Sequence, residues 1–277
     1  MTGILSRRRP GRSARGPAVG GPRRILITGA ASGLGLALSR EYLALGEEVI
    51  LTDVHAEPPP EVRGLTGDWT YRRLDVTSDA DWAAAAAEID RLDILVNNAG
   101  IAIGGGLEST SMQAWQRIID INLLGVVRGC RAFAPVIPRS GRIVITASAA
   151  GLVHAPRMGA YNATKAAAVA FGETLDAELR HRGVSTTVIC PQFFRSGLAD
   201  SLSGEDARAD EMARVLLSKT PLTSETIARR AVRGIEARRV VVTPDALATG
   251  FWYSKRFSRI PYLGVTRLIG RVVARRG

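Results

Sequence analysis

Tyr161 and Lys165 stand four residues apart in a stretch of helical pattern, so their side chains share one face about one turn apart. A free phenol has a pKa of about 10, too high for a base at neutral pH, and an ammonium group beside it favours the phenolate. The pair is a candidate acid/base for moving a proton to or from oxygen. Taken alone, such a pair is common surface decoration. Ser148 gives it weight, closing a strand-like run 13 residues earlier where a hydroxyl could hold a substrate oxygen. Asn122 adds more, because a side-chain amide within the apolar run IIDINLLG needs buried partners.

A second constellation lies near the start. Thr28-Gly29-Ala30-Ala31-Ser32-Gly33-Leu34-Gly35 follows one apolar strand and opens a helix. Glycines let a backbone approach a pyrophosphate, and a helix N-terminus offers free N–H groups and a positive dipole end. Tight turns also collect glycine, so the strand before and the helix after carry the reading. Asp53 closes the second strand, 24 residues after Gly29. A carboxylate there accepts hydrogen bonds from ribose hydroxyls and repels a 2′-phosphate. Val54, His55 and Ala56 follow it, and Ser32 rather than a base precedes the second glycine. Both observations favour NAD(H) over NADP(H). Asp75 in LDVT marks the end of the third strand, where an adenine would lie. Asn97-Asn98-Ala99-Gly100 ends the fourth, and by itself reads as an Asn/Gly turn.

The elements that must position these groups alternate. Strand-like runs fall at 24–28, 48–53, 70–76, 93–97, 142–147, 184–190 and 239–243. Helical patterns fall between them, from the glycine turn to Leu45 and over 81–90, 111–136, 157–181 and 223–237, with Ser78 or Asp79 as the cap of the second. Buried-type strands joined by helices predict an α/β fold, a doubly wound parallel sheet with helices on both faces. Residues 197–218 are polar and Ala-rich and predict short mobile helices. We expect a disordered basic leader over 1–22, a cofactor-binding catalytic domain over 23–247 and a basic amphipathic tail over 248–277.

Of 277 residues, 46% are hydrophobic and 23% charged, an ordinary globular mixture. The net charge of +11 would suggest nucleic acid, but its distribution argues otherwise. The first 24 residues and the stretch from Phe251 onward hold fourteen basic groups and no acid, which leaves the interior slightly acidic. No specific nucleic-acid partner is expected, since that function wants a basic stripe on the folded body. No apolar run is long enough to span a membrane. Cys130 and Cys190 each sit in an apolar run without a CxxC spacing, as core residues of a chain in a reducing, cytoplasmic setting.

Taken together and in order, TGAASGLG (28–35), the Asp53 strand end, DVT (75–77), NNAG (97–100), INLLG (121–125), TASAAG (146–151), YNATK (161–165) and PQFFRSGL (191–198) resemble the short-chain dehydrogenase/reductase family from about Arg24 to Asp245. The resemblance implies a single Rossmann domain with seven parallel strands. It implies Tyr161 as general acid/base, with Lys165 lowering its pKa and binding the nicotinamide ribose. Ser148 would polarise the substrate oxygen, and Asn122 would hold a water in a proton relay. The cofactor would lie against Gly29, Ser32, Gly33, Leu34, Gly35, Asp53, Asp75, Val76, Asn98, Ala99 and Gly100, with Pro191, Phe194 and Ser196 on the carboxamide side. The chain departs from the family at Gln192, where glycine is usual, and at Ser196, where threonine is usual.

These residues predict an oxidoreductase that interconverts an alcohol and a ketone or aldehyde. A cofactor-binding regulator without turnover is a weaker alternative, because all four catalytic positions are filled. An adaptor driven by the basic ends is another. Ala149, Ala150, Leu152, Val153, His154, Ala155, Phe193 and Phe194 are expected near the substrate, and their apolar character predicts a small lipophilic alcohol or carbonyl compound. The long helices near 111–136 and 157–181 predict a homodimer or homotetramer. For the tail two readings stay open. It is a helix lying on an anionic membrane, a peripheral contact, or it folds over the substrate mouth or onto a neighbouring subunit.

Overall fold

The computed structural model describes residues 21–192, 194, 206 and 220–275. Seven strands form one sheet: β1 Arg24–Thr28, β2 Glu48–Asp53, β3 Trp69–Arg73, β4 Ile94–Asn97, β5 Arg142–Thr146, β6 Ser185–Ile189 and β7 Val241–Val242. All pairings are parallel, in the order β3-β2-β1-β4-β5-β6-β7. The order reverses between β1 and β4, and this is where an open parallel sheet leaves a crevice at its carboxyl edge.

Strand alternation feeds two cores. Ile25, Ile27, Val49, Leu51, Val96 and Val144 face α1 (Gly33–Ala44) and α7 (Ser224–Glu236). Leu26, Ile50, Leu95, Ile143, Ile145 and Val188 face α3 (Asp79–Glu88), α5 (Gly125–Phe133) and α6 (Gly159–Leu179). Cys130 and Cys190 are buried free thiols on this second side, both pushed up to about 12 by burial. Ser78 rather than Asp79 caps α3, and Thr223 caps α7 through Thr226 N–H.

Several boundaries differ from the sequence expectation. The third strand ends at Arg73, so Asp75 lies in the following turn, its carboxylate accepting from the Thr77 amide (2.9 Å) and hydroxyl (2.8 Å). That local bonding competes with the ladder. The loop after β2 contains one short helical turn, α2 Pro60–Arg63, with Pro60 at a first-turn position that tolerates proline. The helix expected over 111–136 divides into α4 Met112–Ile119, a π turn Asp120–Leu124 and α5. The tail is two helices, α8 Ala246–Phe257 and α9 Arg259–Arg275, with Pro261 in the first turn of α9. Residues 1–20 of the expected leader over 1–22 and the short helices over 197–218 lie outside the described residues, Asp206 apart.

At the amino edge of the sheet, opposite the crevice, Arg23 bonds to Glu47 and to Glu236 at the end of α7 (2.9 Å). Buried Arg142 reaches the same Glu236 at 3.1 Å. This network fastens the start of β1 to the last helix of the sheet unit.

Candidate active site

A cavity of about 1290 Å³ runs along the carboxyl edge from the glycine turn to the tail. Its floor at one end is the turn after β1. Gly29 has a φ of +62°, and a Cβ there would lie 2.9 Å from Ala99 Cα. A Cβ on Gly35 would stand 2.2 Å from the Gly29 carbonyl oxygen, so this turn closes only without side chains. Gly35 is thus the packing glycine beneath the cavity, while Gly29, Ser32, Gly33 and Leu34 line it. Asp53 enters from the end of β2. One carboxylate oxygen accepts from Ala31 N–H (3.1 Å) and the other faces His55 Nδ1 at 2.7 Å. Asp75, Val76, Ala99 and Gly100 continue the wall.

Asn98 is held from three sides. Its amide donates to the Thr28 carbonyl (3.0 Å), its oxygen accepts from Thr146 (3.1 Å), and the Thr28 hydroxyl accepts from its backbone N–H (2.9 Å). These threonines tie together β1, β4 and β5, the three strands at the reversal. Nothing in the motif reading singled out Thr28 or Thr146 for this task, although both close their strands with a side-chain hydroxyl.

The four expected catalytic residues converge. Asn122, 1% exposed in the π turn, accepts from Ile101 N–H and donates to Ile101 C=O, both at 2.9 Å. Its amide thereby pairs with the loop as a peptide unit would, and its oxygen keeps a second lone pair. Lys165 is 4% exposed, and its Nζ donates to Thr146 C=O at 2.9 Å and lies 5.8 Å from the Tyr161 ring centroid. Burial lowers the Lys165 ammonium to about 8. Burial pushes the Tyr161 phenol up, against a hydrogen bond with Ser148 that holds it down. The downward pull expected from Lys165 is not among the causes of this shift, which burial dominates. Ser148 is anchored too, accepting from Ala150 N–H (3.1 Å) and facing Pro191 C=O at 3.4 Å.

The tail supplies the far wall. Phe251 of α8 and Tyr262, Val265, Thr266 and Ile269 of α9 border the cavity. Lys255 donates to Leu152 C=O (2.7 Å) and reaches His154 Nε2 at 2.8 Å, while the Tyr262 hydroxyl accepts from His154 N–H at 2.7 Å. Because an ammonium only donates, His154 Nε2 accepts, and its Nδ1 carries the hydrogen facing Ala150 C=O. His154 thus latches the 152–154 loop to the tail. Asp245 accepts from Gln192 N–H and Ala248 N–H, joining the loop after β6 to the start of α8. Of the residues expected near the substrate, Ala149, Ala150, Val153, His154, Ala155 and Phe194 line the cavity. Leu152 instead turns into the core with Leu175 and Leu179. Phe193 and Ser196 lie outside the described residues.

Residues 23–207 match the short chain dehydrogenase family. The chain belongs to that family. It is 34% identical to the cyclopentanol dehydrogenase of Comamonas testosteroni over 70% of this chain and 87% of that one. It is 34% identical to 11-beta-hydroxysteroid dehydrogenase A of Sesamum indicum over 83% of this chain and 70% of that one. The crystal structure of a short chain dehydrogenase/reductase from Burkholderia phymatum in complex with NAD superposes with a TM-score of 0.79 at 29% identity, covering 85% of this chain and 93% of that chain. The glycine-floored cavity suits the nicotinamide dinucleotide such folds hold, with the turn at one end and the buried Tyr161/Lys165 pair at the other.

Proposed function

We propose that this short-chain dehydrogenase interconverts a lipophilic secondary alcohol and its ketone, prefers NAD(H), and uses Tyr161 as its acid/base. The observation that carries the reading is the buried Tyr161–Lys165–Ser148 group at one end of a cavity whose other end is the glycine turn. Gly29, Ser32, Gly33 and Leu34 would hold the pyrophosphate above the packing glycine Gly35, Asp53 the adenosine ribose, and Asp75 and Val76 the adenine. Asn98, Ala99, Gly100 and Lys165 would hold the nicotinamide ribose, with Pro191, Phe194 and Ser196 beside the carboxamide. Bound nicotinamide supplies or takes up the hydride.

The chain's own groups handle the proton and the oxygen. Ser148 donates to the substrate oxygen and fixes its position. Tyr161, kept protonated by burial, gives its proton to that oxygen in the reductive direction and takes one back in the oxidative direction. Lys165, pinned by Thr146, presents positive charge beside the phenol and stabilises the phenolate left behind. Asn122 clamps the 97–101 loop and offers its remaining lone pair to a relay water.

Two features support NAD(H). Asp53 faces the cavity, and Arg117 and Lys165 are the Lys and Arg side chains among its described lining residues. Arg72 and Arg73, next to β2, are engaged by Glu88 and Asp81. An apolar roof of Phe251, Val265 and Ile269 suits a lipophilic substrate, as do the ring substrates in the names of the two relatives. Exposed Met112, Leu124 and Val136 on the α4–α5 side suit pairing between subunits as a dimer or tetramer. Buried free thiols suit a cytoplasmic setting. No helix among the described residues is long and apolar enough to cross a membrane, so membrane contact, if made, is peripheral and through the tail. The unit that carries out the chemistry is 23–247, with α8 and α9 as its roof.

The test is a panel of secondary alcohols and ketones of increasing chain length, followed by NADH absorbance, with NADPH in parallel. Turnover should rise with lipophilicity and favour NADH. A chain inert toward the whole panel with both cofactors would remove the oxidoreductase reading.

A further inference from the structure

The outer side of the tail is unlike the rest of the surface. Of the fifteen large hydrophobic residues exposed among the described ones, nine fall between Leu247 and Ile269, so apolar exposure is concentrated on one element. Over 259–271, helix α9 is partly buried only at Tyr262, Thr266 and Gly270, spaced by four, the narrow stripe by which it rests on the body. At 100° per residue, the opposite side carries Ile260 (85% exposed) and Leu268 (60%) interleaved with Arg267 and Arg271. Phe257, 77% exposed, continues the patch and stacks on Tyr253 with centroids 6.1 Å apart. From Ala246 to Gly277 there are seven basic residues and no acid.

Charge selects the occupant. A second copy docking through this side would bring cations against cations, which disfavours self-pairing. A nucleic acid would neutralise the arginines and leave Ile260, Leu268 and Phe257 in water. An anionic bilayer surface satisfies both, burying the apolar side chains at the acyl boundary while the arginines meet headgroups. Tyr262, Val265 and Ile269 of the same helix border the substrate cavity. The route from the lipid to the cavity therefore runs past this rim.

We propose that α8 and α9 dock this dehydrogenase on anionic phospholipid surfaces, so that its lipophilic substrate enters the cavity from the bilayer. The substrate half of the proposal rests on the oxidoreductase reading above, and the docking half does not. The test uses the full chain with phosphatidylcholine vesicles, with and without phosphatidylserine, beside the variants Arg267→Glu/Arg271→Glu and Ile260→Ser/Leu268→Ser. None of these four residues lines the cavity. The full chain should sediment with the phosphatidylserine vesicles and be released by salt. The charge-reversed variant should bind roughly 30-fold more weakly or worse. A secondary alcohol carried in the anionic vesicles should be oxidised faster than in neutral ones by the full chain only, while a water-soluble alcohol is turned over equally by all three proteins. Failure to sediment overturns the proposal. So does binding that survives both pairs of substitutions, since it places the contact elsewhere, or self-association by light scattering that these substitutions abolish, since it gives the patch to a second copy. Sedimentation needs no turnover, so a failed oxidoreductase reading would show separately, as inactivity toward every alcohol in free solution.

Discussion

The cavity has two kinds of wall. The proposed catalytic wall is assembled from β4, β5, the π turn and α6, and its groups are held in place: Lys165 by Thr146 C=O, Asn122 by both backbone polar groups of Ile101, Asn98 by the Thr28 carbonyl and the Thr146 hydroxyl. The roof is two helices attached through a few bonds to the 152–154 loop and through Asp245. One wall is fixed before any substrate arrives, and the other rests on contacts that are individually weak. Such a division would let the reaction stay constant while the choice of substrate is carried by an element that can change without disturbing it.

If that division is right, substitutions on the first wall should act on turnover whatever the substrate. Tyr161→Phe should bind NADH, followed by its fluorescence, and lose turnover by the 10²–10⁴ typical of a lost general acid or base. Near-normal activity would take Tyr161 out of the mechanism. Lys165→Met comes next, with losses in both turnover and NADH affinity. With Lys165 at about 8, the ammonium is lost as pH rises through that value, so reductive turnover of the wild-type chain should fall there. The methionine variant has no such proton, and a retained fall near pH 8 would assign the titration to another group.

The cofactor end is built like the catalytic wall, and Asp53→Ala should cut the preference of kcat/KM for NADH over NADPH by roughly tenfold, the scale of a charge-assisted hydrogen bond. A wild-type preference for NADPH would overturn the reading of the second strand end. On the roof the effects should be smaller and substrate-dependent. A chain ending at Ser258 should raise KM for long-chain alcohols severalfold and leave kcat for a small alcohol nearly unchanged. Equal losses for both substrates would mean that α9 supports the catalytic wall after all. Tyr262→Phe, which removes the hydroxyl accepting from His154 N–H, should show the same bias at a few-fold or less, in line with about 1 kcal/mol for one hydrogen bond.

The first wall was legible in the sequence and the roof was not. Strand alternation, glycine turns and the 161/165 spacing are local signals, and each survives because neighbouring residues in the chain enforce it. The end of β3 was misplaced because Asp75 prefers its own turn with Thr77. The π turn at 120–124 was invisible because one shifted turn leaves the helical pattern of 111–136 intact. Leu152 was assigned to the substrate side because apolar loop residues do not announce which way they face. The His154–Lys255–Tyr262 latch joins residues about a hundred positions apart, and no spacing rule reaches that far. Of the tail's two readings, the contacts of α8 and α9 with the 152–154 loop support the fold-back. The outward arginines and apolar side chains keep the lipid reading testable beside it.

The ion-pair knot of Arg23, Glu47, Arg142 and Glu236 sets the handling of the protein in the laboratory. It holds the first strand's start at the foot of the sheet, and a five-residue strand separates that foot from the reacting groups by roughly 17 Å. A purification handle, a fluorescent fusion or a surface tether put in place of residues 1–22 therefore attaches at the edge of the sheet away from the substrate entrance. The same addition after Gly277 hangs from the helix that roofs it, so the end chosen for attachment decides whether an assay reports on the enzyme or on its obstructed door.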